Sequence, residues 1–458
     1  MRLVRPWDPD HWVPTFTAIW GAEALSLFGT QLVQFALVWW ITKSTGSATV
    51  LAGATLVALF PQIAIAPLAG ALVDRWDRRW VMILSNAGIA LSTLLLALVF
   101  ALGKVQIWHI YVAMLVRATG AAFRWPAMQA STAMMVPQRH LARVGGLNNS
   151  LFGLASIVSP PLGALLIELL TPRGVPAADI EAARQAIVPL LGLDFAAACL
   201  AILPLSLVRI PLPKRRDAVA AKSTVLADFR EGLRFVTGWR TLFAIVIAAS
   251  AITLFSNPAI SLMPLLVTKH FHGGAIQLAG LQAAFGFGLL IGGALLGIWG
   301  GFKKRMTTAL LSLFLQGIGF AAVGLVPSSG FPMALGALAL VGLMNPICTG
   351  SLFAMVQSTV PHEMQGRVMS LLISLATAAA PLGLAAAGPI ADRYGIGIWF
   401  LIAGVAMVAV ALFSVLTPAI REVESRGIPP HILQRYGSAA SPLVGDAGQD
   451  ASSGEPPA

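Results

Sequence analysis

Glu23 is the residue whose type and position most invite chemistry. It interrupts an apolar run over 14–42. Counted from Thr15, it lies about 12 Å along a helix that rises about 1.5 Å per residue. A carboxylate at that depth of a bilayer is costly to hold charged, which suits it to exchange a proton or to meet a cation. Ser26, Thr30 and Gln34 follow at spacings of 3, 4 and 4 and share its helical face. That polar stripe is expected to line a substrate cavity. The alternative is a carboxylate that only pairs with a neighbouring helix.

Arg117 lies near mid-depth of another apolar run, and Arg124 lies two turns further on nearly the same face. Arg117 is expected to pair with Glu23, so that protonation of the acid releases it, or else to bridge helices as a fixed cation. Arg124 is placed on the cavity wall. Asp194 and Glu168 fall near the outer ends of their runs and are expected to face water. Asn257-Pro258 and Asn345-Pro346 set amides beside helix breakers, so Asn257 and Asn345 are candidate cavity residues; bonding to a neighbouring helix is the alternative. Phe255, Phe285 and Phe287 could line an aromatic pocket or simply pack. Gly286, Gly288, Gly292 and Gly293 would permit close helix packing.

The elements that hold these residues follow from composition. Apolar residues make up 57% of the 458 and charged residues 11%, against about 45–50% and about 25% in soluble domains. Lipid must therefore solvate much of the surface. Backbone polar groups in lipid need internal partners, so the spans are helices. Twelve apolar runs qualify, at 14–42, 48–73, 80–102, 107–136, 142–170, 186–208, 241–268, 276–301, 306–326, 332–360, 367–390 and 396–417. No cleavable signal peptide is expected ahead of them.

The net charge of +11 fits a basic inner surface and no nucleic acid. One set of segments carries 22 of the Lys and Arg, among them Arg75, Arg78, Arg79, Arg139, Arg143, the basic run Lys214-Arg215-Arg216 and Lys303-Lys304-Arg305, while the other set carries six, Lys43, Lys104, Arg173, Arg184, Lys269 and Arg393. Both termini are thus expected in the cytoplasm. The chain divides into an N-terminal segment 1–13, a six-helix bundle 14–208, a linker 209–240, a second six-helix bundle 241–417 and a tail 418–458. The tail is polar and expected to be largely disordered from about residue 436. In the linker, Leu226, Phe229, Leu233 and Val236 mark an amphipathic helix along the inner surface.

The halves repeat. Val136-Pro137 and Arg143-Val144 recur at Val360-Pro361 and Arg367-Val368, Pro161-Leu162-Gly163 recurs at Pro381-Leu382-Gly383, and Gly70 maps to Gly293. Parallel six-span repeats are a transporter architecture. The spans hold no metal-ligand cluster and no paired carboxylates, and the chain has no phosphate-binding Gly-rich loop. These features argue against an enzyme, a cofactor and direct use of ATP.

On these residues the chain resembles the major facilitator superfamily. Gly70-x3-Asp74-Arg75-x2-Arg78-Arg79 resembles its signature loop between spans 2 and 3, with Asp77 where glycine is usual. Leu115-Val116-Arg117-Ala118-Thr119-Gly120 resembles the span-4 arginine motif. Gly153, Pro160, Pro161 and Gly163 resemble the span-5 antiporter motif, with Ser159 in place of a glycine. Ile19-Trp20-Gly21, Ser44 to Ala48, Leu72 to Arg78, Gly366-Arg367-Val368 and Ala391 to Gly395 are similar to bacterial macrolide-efflux-type permeases, where Asp77 is ordinary; siderophore exporters share much of this pattern.

The resemblance implies an all-α integral membrane protein of twelve transmembrane helices in two six-helix pseudo-repeats. It would be a monomer in the bacterial inner membrane that exports hydrophobic or cationic drugs in exchange for protons. Export of a siderophore or another anionic metabolite is the alternative. The resemblance also implies that Asp74, with Gly70, Arg75 and Arg78, latches one conformational state, while Arg75 and Arg79 read by themselves as ordinary basic loop residues.

Overall fold

The computed structural model describes residues 12–65, 69, 72, 73, 76–171, 180–208, 225–426 and 429. Gly70, Asp74, Arg75, the first part of the linker and the tail beyond 429 lie outside them, as do the expectations made for those residues.

Thirteen helices organise the described chain: α1 Trp12–Thr45, α2 Ala48–Ala64, α3 Arg78–Ala101, α4 Ile107–Met135, α5 Gln138–Leu170, α6 Ile180–Leu207, α7 Val225–Gly238, α8 Arg240–Ser261, α9 Ala275–Trp299, α10 Arg305–Leu325, α11 Phe331–Thr359, α12 His362–Tyr394 and α13 Gly397–Leu416. Shorter turns join or follow them. Among the described residues, ten helices are long and apolar enough to span a membrane. Their outer faces carry exposed Leu84, Leu91, Leu98, Ile298 and Leu416, as lipid requires. The chain is an all-α, multi-spanning membrane protein.

Local sequence sets the helix ends. Val136 and Val360 precede prolines and are extended, at φ −105° and −92°. A proline disfavours helical geometry in the residue before it. So α4 and α11 stop there, and α5 and α12 begin just after Pro137 and Pro361. Pro160 and Pro161 are accommodated inside α5. The run 241–268, by contrast, is not one helix. It breaks at Leu262, and Met263–Leu265 and a π-turn over Leu266–His270 follow. Pro264 supplies the reason: without an N–H it cannot bond back to Ile260. Asn257-Pro258 lies inside α8 rather than at the break.

Helices α1–α6 pack mainly with one another, and so do α8–α13; α2 against α12 and α5 against α9 join the two groups. Glycines allow the closest approaches. A Cβ on Gly286 of α9 would lie 2.7 Å from Ile157 of α5, and Gly288 and Gly292 press on the backbone of α11. Gly293 faces open space instead. The amphipathic helix α7 docks on the second group: Phe235, Val236 and Trp239 are buried with Met364, Val368 and Leu372. Glu231 meets Arg367 of α12 at 3.0 Å.

The turn before α3 departs from the sequence expectation. Asp77 caps α3, its carboxylate accepting from the Arg79 N–H at 3.0 Å. Arg79 is not a plain loop cation. Its Nε and Nη2 donate to the carbonyls of Leu205 and Ser206 at the end of α6, both at 2.6 Å. Those carbonyls would otherwise lack helical partners. Arg79→Ala is expected to cost about 1.5–3 kcal/mol, the range for bonds to charged donors, read as a lowered unfolding temperature in detergent. A midpoint equal to that of the parent would refute the capping role.

Candidate functional site

Three helices bring the first cluster together. Glu23 of α1 is 8% exposed. Its Oε1 accepts from Asn86 Nδ2 of α3 at 2.7 Å. The Asn86 carbonyl oxygen in turn accepts from Arg124 Nη1 of α4 at 3.1 Å, and Arg124 Nη1 also donates to Ser26 Oγ at 3.1 Å. Arg124 lies 3.7 Å from Glu23 Oε2. The Asn86 amide thus bridges an acid and a base, offering its donor to one and its acceptor to the other.

A second cluster stands seven residues along α3 and α4. Arg117 Nη1 lies 2.5 Å from Asp194 Oδ2 of α6. Thr93 Oγ1 donates to the same oxygen at 3.0 Å and also accepts from Arg117. Arg117 Nη2 reaches the Thr30 carbonyl at 3.4 Å.

This arrangement corrects two expectations. Arg117 pairs with Asp194 and not with Glu23. Asp194 does not face water: it is 0% exposed. The helix α6 begins at Ile180, ahead of the predicted span 186–208, which sets Asp194 at mid-helix. Gly29 makes room for it, since a Cβ there would lie 3.0 Å from Asp194 Oδ1. Glu168 is exposed.

Asp194, Asn86 and Thr93 are the partners that the sequence reading missed, though signals for them existed. Asp194 is as deep in its apolar run as Glu23 is in its own. Asn86 and Thr93 are seven apart and share a helical face.

Both clusters border a cavity of about 880 Å³. Glu23, Thr30, Gln34, Arg117 and Arg124 line it, with Gln31 and Gln62 and the aromatic Trp20, Trp125 and Phe152. Ser26 is fully buried and serves Arg124 instead. Asn257 and Asn345 are half-buried and do not line this cavity. Phe255 packs on Trp399, Phe285 packs on the core, and Phe287 is 57% exposed. These phenylalanines do not line this cavity. In α5, Gly163 abuts Phe35 of α1, Pro160 and Pro161 lie half-buried, and Gly153 has no neighbour where a side chain would stand. Arg78 donates to the Ala130 carbonyl of α4 at 3.3 Å. Among the described residues, no group of three or more His, Cys, Asp or Glu could hold a metal.

At the end of the bundle opposite Arg78, the two helix groups are latched. Asp392 of α12 accepts from Ser47 Oγ at 3.0 Å, Ala48 N–H at 2.7 Å, Thr49 N–H at 3.0 Å and Thr49 Oγ1 at 2.7 Å. Its carboxylate thereby caps the N-terminus of α2, where a negative charge is favoured. One turn earlier, a Cβ on Gly388 would sit 2.7 Å from Thr49 Cα. Deeper in the bundle, Thr55 Oγ1 and Ser261 Oγ share a hydrogen bond of 2.5 Å.

Known proteins share this organisation. Residues 19–384 and 241–440 match the family model of the Major Facilitator Superfamily. The chain is 31% identical over 416 residues to macrolide efflux protein A of Streptococcus pyogenes, covering 91% of this chain and 98% of that one. It is 28% identical over 413 residues to the multidrug efflux pump Tap of Mycolicibacterium fortuitum, covering 88% and 95%. The solved nucleoside transporter NupG superposes with a TM-score of 0.65 at 13% identity, over 86% of this chain and 98% of that one. These relatives are transporters. A multi-spanning helical fold around a cavity with charged residues in its wall, matched over most of its length by such proteins, makes this chain a member of the Major Facilitator Superfamily, a membrane transporter of small molecules and not an enzyme.

Proposed function

We propose that this transporter exports hydrophobic or cationic drugs, macrolide-like compounds among them, in exchange for protons and by alternating access. The observation that carries this reading is Glu23, a carboxylate on the wall of a cavity whose other lining is largely apolar and aromatic. Such a wall suits amphiphiles of varied shape, and its acid can take either a cation or a proton. Relatives that bear the names macrolide efflux protein A and multidrug efflux pump Tap support it.

Twelve spans follow if α2 and α4 are added to the ten apolar helices. Only 17 residues of α2 are described, and α4 carries Arg117 and Arg124. Two contacts support a repeat of six and six: Arg78 donates to the Ala130 carbonyl, and Arg305 donates to the Ala354 carbonyl at the corresponding place. With the basic loops in the cytoplasm of a bacterial cell, the Asp392 latch closes the outer face, and the cavity belongs to an inward-facing state. Asp74 and its neighbours would latch the other state.

Arg117 and Arg124 also line the cavity, which favours a second reading, export of a siderophore or another anionic metabolite. Each arginine is already matched by an acid, so we place the cation first.

Expression in an efflux-deficient bacterium tests both readings. The export of cationic dyes and macrolides should stop when an uncoupler is added, and uncoupler-insensitive export would sink the proton mechanism. Glu23→Gln is expected to reduce resistance to cationic compounds to that of cells without the transporter; unchanged resistance would remove Glu23 from the site. A growth advantage confined to iron limitation would favour the siderophore.

A further inference from the structure

Asp194 is a second intramembrane acid, and the reading above gives it no task. It is 0% exposed. The elements against it present Gly29 from α1, Thr93 from α3 and Arg117 from α4. Among these groups Arg117 is the one charge. Arg117 lines the cavity and Asp194 does not, so whatever the cavity contains acts on Asp194 through Arg117.

Two polar atoms beside that guanidinium are left over. Asp194 Oδ2 accepts from both Thr93 and Arg117, while the buried Oδ1 has no hydrogen-bond partner among the described residues. The buried Thr30 Oγ1, next to the carbonyl that Arg117 reaches, has none among them either. Buried polar groups are rarely left so, and a site with two of them around one cation has an unused hydrogen-bonding arrangement.

Charge counting shows what a second arrangement would do. The cavity wall and the residues behind it carry Glu23, Asp194, Arg117 and Arg124, two negative and two positive charges. A proton added to the Asp194 carboxylate forms one O–H bond and displaces nothing. Arg117 then keeps its charge and loses its counter-ion, so the wall becomes net positive. A net positive wall repels a cation from Glu23, and a neutral wall accepts one.

We propose that Asp194 is the acid that carries the coupling proton, that Glu23 meets the cationic substrate, and that Arg117 is the positioning residue that joins the two. This inference rests on the proton-antiport reading. It adds a division of labour in which loading follows loss of the Asp194 proton and release follows its gain.

The test uses the purified full chain in liposomes. Infrared spectra taken between alkaline and mildly acidic buffer should show a carboxylic acid C=O band that disappears in Asp194→Asn and persists in Glu23→Gln. A band unchanged in Asp194→Asn overturns the proposal. With tetraphenylphosphonium as the probe, Asp194→Asn fixes the wall in its net positive state and should lose exchange of the probe without a gradient, whereas Asp194→Asn with Arg117→Gln restores a neutral wall and should retain that exchange while losing accumulation driven by a pH gradient. Accumulation equal to wild type overturns the proposal. The double variant removes both buried charges, so it also serves where Asp194→Asn does not fold; loss of exchange in it would show a structural role and overturn the proposal. Failure of the wild type to carry the probe would count against cation export, while the infrared band would still decide the fate of Asp194.

Discussion

Gly388→Leu is expected to abolish transport while the protein still inserts and folds. The Cβ of any residue larger than glycine would lie 2.7 Å from Thr49 Cα, 3.2 Å from Thr49 N and 3.3 Å from the Ala48 carbonyl oxygen. All three are backbone atoms of α2, so no rotamer can yield, and α12 and α2 must separate. Asp392 lies one turn along α12, and its four bonds to Ser47, Ala48 and Thr49 would stretch with that separation. States of an alternating carrier differ by a few kcal/mol, so losing one latch redistributes them. In the topology proposed above, the outer end should then stay open.

The measurement is labelling of a cysteine placed at Ser261, in a background without Cys199 and Cys348, by a membrane-impermeant maleimide applied from outside the cell. Ser261 bonds to Thr55 across the closed seam, and Gly388→Leu should raise its labelling while transport falls to background. Asp392→Asn retains part of the cap and should give a smaller shift in the same direction. Parental transport with parental labelling in Gly388→Leu would show that the seam does not gate.

The second large effect concerns stability. Arg117→Ala strands the Asp194 carboxylate in a fully buried place with Thr93 as its remaining donor. Removing one partner of a buried ion pair costs about 3–5 kcal/mol, far more than the pair contributes against a neutral replacement. The unfolding temperature in detergent should fall sharply in Arg117→Ala and recover most of the loss when Asp194→Ala is added. Arg124→Ala should be milder, because Glu23 keeps Asn86 Nδ2 and borders the cavity. Additive losses in the Arg117–Asp194 double variant would deny the coupling.

The arginines show how far residue spacing carries an argument and where it stops. That Arg117 and Arg124 share a face of one helix follows from their separation of seven. Which acid each one meets depends on how α1, α3 and α6 rotate about α4, and no interval along the chain encodes that rotation. Arg124, the residue assigned to substrate, is the one that stands beside Glu23; Arg117, the residue assigned to Glu23, stands beside Asp194. Asn86 and Thr93 do not stand out in the sequence because a single amide or hydroxyl in an apolar run is common, and each becomes significant only with a charge across from it. The Asp392 latch is the same lesson at longer range. Ser47 and Asp392 are 345 residues apart, and both were notable only as parts of motifs.

The sequence by itself determined the solvent, the helices and the family likeness. These follow from composition, from runs of apolar residues and from prolines at helix ends, all of which act on neighbours along the chain. It also placed Glu23, Thr30 and Gln34 on one stripe, and that stripe borders the cavity. Only the tertiary structure decided the ion pairs, the fate of Asp194 and the contact of α12 with α2. Inside a bilayer a charge must find its partner on another helix, and the choice of partner is made by packing, where a missing Cβ at Gly29 or Gly388 matters as much as the charge itself.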